Sequence, residues 1–406
     1  MDFSHSAKSL ELQAKMKQFI ADHLDPVEQQ YYQHNDEVNG HDDWTQWQVP
    51  AGLNDLKAKA KAAGLWNLFL PDAELGAGLS VLEYAPLAEL TGRSLFYPEV
   101  FNCNAPDTGN MEVLYHFGNQ QQQQQWLTPL LAGEIRSVFF MTEPGVASSD
   151  ATNMEASIVE DGDELILNGR KWWSSGVGHP DCKVGVFMGL SNPENPKHQQ
   201  HSMVLVELDR DGVQIERMLK AAGDCDAPYG HGEVSFTNVR VPKANLIQNL
   251  GDGFAIAQGR LGPGRIHHCM RCIGAAERVL EMGIKRAQSR VAFGKPLIEL
   301  GGNRERIADA RLAIDQARLL TYFAAWKIDN VGVKHAMTEI SAIKVAAPNV
   351  LQDVVDMVMQ LHGGAGIGSD FGLMRFYAQA RSLRLADGPD EVHKGMISRL
   401  ELRKYK

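Results

Sequence analysis

Two short segments bring hydroxyls, backbone amides and large aromatic rings close together. Residues 141–150 read MTEPGVASSD, and residues 171–176 read KWWSSG after one intervening hairpin. This combination suits the edge of a flat, polar-rimmed ring system, which needs hydrogen-bond partners at its rim and apolar contact on its face. Two ordinary strand ends with Ser-rich turns would have the same wording, so the residues alone leave both readings open. A third segment, LADGPDEV at 385–392, places Asp387 in an Asp-Gly-Pro-Asp run of turn-forming or helix-capping type. Cys269 and Cys272 have C-x-x-C spacing, but with no second pair and a helical context they read as helix-packing thiols. For the adjacent His267 and His268, no carboxylate or cysteine at convincing spacing completes a zinc site, which leaves packing or hydrogen bonding for His267.

The elements that must position these residues fall into three blocks. Apolar positions recur every three or four residues over 10–20, 53–63, 81–95 and 113–131, which predicts helices through about residue 131. Within that block, the glutamine run at 120–125 reads as a solvated helix face. From 136 to 241 the texture changes to short, alternating segments rich in Val, Ile, Phe and Trp, separated by turn pairs such as Asp161-Gly162 and Asn168-Gly169. The helical period then returns over 254–290, 303–330, 337–361 and 391–402, and the glycines of LHGGAGIG close one of these stretches. The expected organisation is an α+β multidomain chain: an N-terminal helical domain over 1–133, a central β-barrel or sandwich over 134–243, and a C-terminal four-helix bundle over 244–406.

Composition sets limits on function. The 406 residues suffice for two or three domains with a large core. With 40 Lys and Arg against 50 Asp and Glu, the net charge of -10 argues against duplex nucleic acid as a partner. An apolar share of 44% and a charged share of 22% are ordinary for globular domains. No apolar run approaches the roughly 20 residues of a membrane span, and the charged, helical N-terminus lacks a signal peptide's apolar stretch. Five cysteines form no disulfide framework, so a cytoplasmic location is expected.

The order helix, β, helix, with MTEPGVASSD entering the β block, K-W-x-[ST] after the next hairpin, R-x-x-F-G-K in the third block and Q-x-x-G-G-x-G near the end, resembles the acyl-CoA dehydrogenase family over essentially the whole chain. The wording of WWSSG, GPGRIHHCMR and LADGPDEVH is most similar to bacterial relatives of that family's members 10 and 11. The resemblance implies FAD held between the β domain and the C-terminal helices. Met141 and Thr142 would hydrogen-bond the pyrimidine side of the flavin, Ser149 would bond an FAD phosphate and border the substrate, Trp173 would lie against the isoalloxazine, and Ser175 would replace the usual threonine. Arg290 and Phe293 would reach the FAD of a neighbouring subunit, with Gln360 and Gly364 covering its adenosine half, which implies a homodimer or a dimer of dimers. Pro389 and Glu391 would stand beside the flavin. Arg265, Gly388 and Arg399 would contact the acyl-CoA.

The resemblance also implies a base. The family's glutamate in an E-G-[TS] turn is replaced here by Asp387, one methylene shorter, followed by Gly388 and Pro389. The alternative position on the long helix, before Arg265, is Gly264, so it offers no carboxylate. The implied reaction removes the α-proton of an acyl-CoA thioester while a hydride leaves the β-carbon, giving a trans-2-enoyl-CoA as in fatty acid β-oxidation. Electron-transferring flavoprotein would accept the electrons. Two other activities share the fold: a flavoprotein oxidase of the acyl-CoA oxidase or nitroalkane oxidase kind, the latter with an aspartate base, and a non-enzymatic DNA-binding flavoprotein, which the charge argues against.

Overall fold

The computed structural model describes residues 4–405, apart from the side chains of residues 260–263. Its contacts divide the chain into two compact units: one of residues 22–70 and 99–261, the other of 1–21, 71–98 and 262–406.

The first unit is organised by a seven-stranded, curled sheet of β1 (Arg136–Phe140), β2 (Ser157–Asp161), β3 (Glu164–Ser175), β4 (Cys182–Leu190), β5 (His201–Glu207), β6 (Val213–Met218) and β7 (His231–Pro242). The strands run in the order β1-β4-β2-β3-β7-β6, with β5 added to β4. β1 and β4 are parallel, whereas β2 with β3, β3 with β7, β4 with β5 and β6 with β7 are antiparallel. The alternating apolar residues of these strands enclose one core that includes Val138, Phe140, Leu165, Leu167, Phe187 and Phe236. Beside it lies a buried ionic group. Arg136 meets Asp107 at 2.5 Å and also pairs with Glu99, which in turn pairs with Lys57. Although burial works to raise it, Arg136 and Lys57 hold the Glu99 carboxyl down at about 2.

Helix expectations near residue 120 differ from the structure. The periodic stretch 113–131 is interrupted at Gly118, which is extended, so that Asp107–Phe117 ends and a new helical run begins behind an Asn119–Gln122 capping box. Gln122 is not on a solvated face. It is buried, and its Nε2 donates to the carbonyls of Ala244 and Leu246. Gln123 likewise donates to the carbonyls of Leu114, Tyr115 and Gly118, because the end of the helix at Gly118 leaves carbonyls that need donors.

The second unit is helical. Its main elements are Ala7–Phe19, Val81–Thr91, the portion of Gly253–Ser289 from residue 262, Asn303–Val331, Met337–His362, Leu373–Leu383 and Asp390–Leu402. The segment 71–98 joins these helices for identifiable reasons. A Cβ on Gly274 would stand 1.9 Å from the Glu89 carbonyl oxygen, and one on Gly92 would stand 2.2 Å from that of Arg271, so only glycine lets the two backbones approach this closely. Asp329 caps the incoming helix, its two carboxylate oxygens accepting from the Val81 and Leu82 amides at 2.9 Å each. Arg318 adds ion pairs to Glu89 and Glu277.

Candidate active site

In the β unit, the 141–150 loop is fixed from below by a buried charge. Lys171 of β3 points inward and its ammonium uses all three donors, at 2.7 Å to Glu143 Oε1, 2.7 Å to the Met188 carbonyl and 3.0 Å to the Met141 carbonyl. Glu143 completes the anchor by accepting from the Glu155 and Ala156 amides. Burial pulls the Lys171 ammonium down to about 8, and Glu143 opposes that pull. Met141 and Thr142 are half-buried, the Thr142 carbonyl accepts from the Trp172 amide at 2.9 Å, and Ser149 is exposed.

Strand parity explains the placement of Trp173. Leu165, Leu167 and Lys171 face inward, so strict alternation would turn Trp173 inward as well. The pairing of β3 with β7 slips between Lys171 and Ser174, Trp173 adopts a left-handed φ of 52°, and the residue is left 42% exposed while Ser174 takes the buried position. Ser175 is half-buried. Its hydroxyl lies 2.8 Å from Nδ1 of His231, whose ring stands 5.7 Å from that of Trp173.

In the helical unit, Asp387 occupies a tight turn before the helix Asp390–Leu402, with φ of 54°, followed by Gly388 at 98°. The turn is held at several atoms. The Asp387 carbonyl accepts from Arg265 Nη2 at 3.2 Å and is 3.2 Å from His393 Nε2. Asp390 is buried and receives Arg384 Nε at 2.9 Å and Asn349 Nδ2 at 3.1 Å. Lys344 donates to the Leu383 carbonyl just upstream. A Cβ on Gly388 would stand 3.0 Å from His393 Nε2, so the turn and that ring are closely packed. Burial, assisted by Arg265, draws the His393 imidazole down to about 4, which leaves it neutral near pH 7. The Asp387 carboxylate is partly exposed and lies 3.4 Å from His268 Nε2.

Arg265, expected at the CoA portion of a substrate, is 8% exposed and donates to the Asp387 carbonyl; burial draws its guanidinium down while the Asp387 carboxylate pulls it back. Arg399 and Glu391 are exposed on the helix that begins at Asp390, with Arg399 Nη2 3.0 Å from Met396 Sδ. Pro389 forms the N-cap of that helix. Arg290 is exposed, and Phe293 is 97% exposed at a φ of 51°; Gln360 and Gly364 are exposed at and beyond the end of Met337–His362. Cys269 and Cys272 are both buried in the long helix, and burial pushes the Cys272 thiol up to about 12, which makes it a packing group. His267 is buried and packs edge-on to Tyr84 at 4.8 Å.

The β unit by itself offers what a flavin ring needs: a tryptophan turned out of the core by a bulge as an apolar face, and a half-buried hydroxyl two residues further along the strand as a polar partner at the rim. The anchoring roles of Glu143, Lys171, His231, His393 and Asp390 are absent from the sequence reading. One signal was present: Lys171 occupies an inward parity position where an apolar residue belongs.

Family models of the acyl-CoA dehydrogenase N-terminal, middle and C-terminal domains match residues 6–134, 138–239 and 251–402. The chain is 51% identical to the protein named "Probable acyl-CoA dehydrogenase FadE2" of Mycobacterium tuberculosis, covering 100% of this chain and 98% of that one. It is 51% identical to acyl-CoA dehydrogenase family member 11 of Rattus norvegicus, with 98% of this chain covered but only 51% of the relative, so it spans about half that protein's length. A solved structure from Mycobacterium abscessus assigned to the acyl-CoA dehydrogenases superposes with a TM-score of 0.97 at 59% identity, covering 99% of this chain and 100% of that one. The chain therefore belongs to the acyl-CoA dehydrogenase family.

Proposed function

We propose that the protein is an FAD-dependent acyl-CoA dehydrogenase that converts an acyl-CoA thioester to its trans-2-enoyl-CoA, with Asp387 as the base. The observation that carries this reading is the Asp387 turn: its backbone is gripped by Arg265 and His393 while its carboxylate is left partly exposed, the arrangement a general base requires. The Asp387 carboxylate takes the proton from the carbon next to the thioester carbonyl as the α,β double bond forms. When bound, FAD supplies the acceptor for the hydride that leaves the β-carbon. Trp173 provides an apolar face for the ring system, Ser175 and the Met141-Thr142 backbone provide polar partners at its rim, and the exposed Ser149 meets a phosphate. Arg290, Phe293, Gln360 and Gly364 serve the FAD of a second copy of the chain, so the working state is a homodimer or a dimer of dimers. Pro389 and Glu391 border the flavin, and Gly388 and Arg399 border the acyl-CoA. Arg265 acts through the Asp387 carbonyl. An electron-transferring flavoprotein collects the electrons, and the cytoplasm is the proposed location.

Anaerobic titration of the FAD-loaded protein with butyryl-, octanoyl- and palmitoyl-CoA tests this reading. Bleaching of the flavin by at least one of them is expected, and bleaching by none ends the acyl-CoA reading. The aspartate base favours one alternative, an oxidase of the same fold; rapid acyl-CoA turnover in air without an acceptor protein would establish it.

A further inference from the structure

His268 lies one helical turn beyond Arg265 on Gly253–Ser289, so both side chains project from one face of the helix. Arg265 reaches the Asp387 carbonyl, and His268 Nε2 lies 3.4 Å from the Asp387 carboxylate oxygen Oδ2. The other ring nitrogen, Nδ1, is 3.2 Å from Arg271 Nη2. A guanidinium can only donate, so Nδ1 must accept and the ring proton must sit on Nε2, the nitrogen that faces Asp387. Arg271 is buried, which keeps its donor in place.

We propose that His268 is a positioning residue for the reaction: its neutral ring, with the tautomer set by Arg271, presents an N–H to the Asp387 carboxylate and holds that oxygen in orientation and in its ionised form. The inference rests on Asp387 being the base. It addresses the methylene that aspartate lacks relative to glutamate. A short carboxylate on a rigid turn has little freedom to find the substrate, and a fixed donor on one oxygen leaves the other aimed outward. Imidazole is suited to this task because it can accept from Arg271 and donate to Asp387 at once, relaying a distant buried charge without placing that charge against the carboxylate. The distance of 3.4 Å is longer than a tight hydrogen bond, and such catalytic contacts shorten when substrate closes the site.

Other charged and titratable groups face this pair. They are Arg265, His267, Cys269 and Arg271 of the same helix, Lys344 of Met337–His362 and His393 of Asp390–Leu402. Arg265, Arg271 and Lys344 carry the positive charge; burial keeps His393 neutral near pH 7, holds His267 well below its ordinary range and pushes the Cys269 thiol up. A donor to a carboxylate favours its ionised form, so its loss moves proton uptake by Asp387 to higher pH.

The test is the pH dependence of flavin reduction by whichever of butyryl-, octanoyl- and palmitoyl-CoA bleaches the wild type fastest, measured in single turnover on FAD-loaded protein. His268→Phe keeps the ring shape without a donor, and His268→Gln retains an N–H near the Nε2 position. In His268→Phe the acid limb of the profile should move up by about one pH unit and the plateau rate should fall by roughly tenfold, with FAD content unchanged. His268→Gln should return most of the limb position. Should the phenylalanine variant fail to fold, His268→Ala makes the same comparison. Profiles that superimpose on the wild type, or equal losses in the Phe and Gln variants with no movement of the limb, overturn the inference. Asp387→Asn separates the two levels. If it is inactive while His268→Phe matches the wild type, only the role of His268 falls; if it reduces flavin at the wild-type rate, the base assignment falls and His268 with it.

Discussion

The Lys171 ammonium donates to Glu143 at 2.7 Å with its side chain wholly buried and that of Glu143 6% exposed, 28 positions apart in sequence. The pair ties β3 to the loop that carries Met141 and Thr142, and the same ammonium holds the Met141 carbonyl. One side chain therefore sets the loop whose neighbouring residues are proposed to meet the flavin.

Lys171→Met should leave Glu143 as an uncompensated buried carboxylate and cost about 3–5 kcal/mol of stability. Denaturant unfolding of the FAD-free protein measures this directly, and FAD retention should fall with it. A Lys171→Met, Glu143→Gln double variant should recover part of the loss, because the stranded charge is gone. Equal stability of the single variant and the wild type would mean that the pair contributes nothing net.

Glu99 gives a pH-dependent prediction. Its carboxyl is held at about 2 in the folded chain against an ordinary 4.5, so the folded state favours the ionised form. That contribution is complete above about pH 4.5 and is lost as the pH falls toward 2. Glu99→Gln should melt well below the wild type at pH 7, since it removes the ion pair of Lys57 and one of the two carboxylates that meet Arg136, and the gap should narrow between pH 4.5 and 2. Burial pushes the neighbouring Asp107 carboxyl up, with the opposite pH slope. The difference between variant and wild type, rather than either curve alone, isolates Glu99.

Arg290→Ala should loosen FAD and weaken self-association together, since one exposed guanidinium is proposed to bridge to the cofactor of a second copy. FAD affinity by dialysis and mass by analytical ultracentrifugation measure both effects on one preparation. Unchanged FAD affinity would return Arg290 to the role of an ordinary surface charge.

The helix, β, helix order and most element positions were legible because each rests on local periodicity. The Gln122 anchor was not, since its use depends on carbonyls of Ala244 and Leu246, more than a hundred residues away. The outward orientation of Trp173, the proposed flavin-facing ring, is hidden from pattern: period-two reading sends it inward, and the slip against β7 sends it out. The attachment of 71–98 to the later helices was equally hidden, because Gly92 and Gly274 are required by a close approach between segments distant in sequence. The proposal of Asp387 as the base rests on family wording in the sequence. Its surroundings, Arg265, His268 and His393, become a group only through the geometry of three separate elements.

The central claim is that Asp387 takes the α-proton, and stopped-flow reduction of the bound flavin by acyl-CoA in Asp387→Asn tests it most directly. The substitution preserves size and most hydrogen bonding, so FAD content and acyl-CoA binding should survive. The reduction rate should fall by about 10²–10⁴-fold, as expected when a general base is lost. Reduction of the Asp387→Asn flavin at the wild-type rate would contradict the account and make Asp387 a turn residue only.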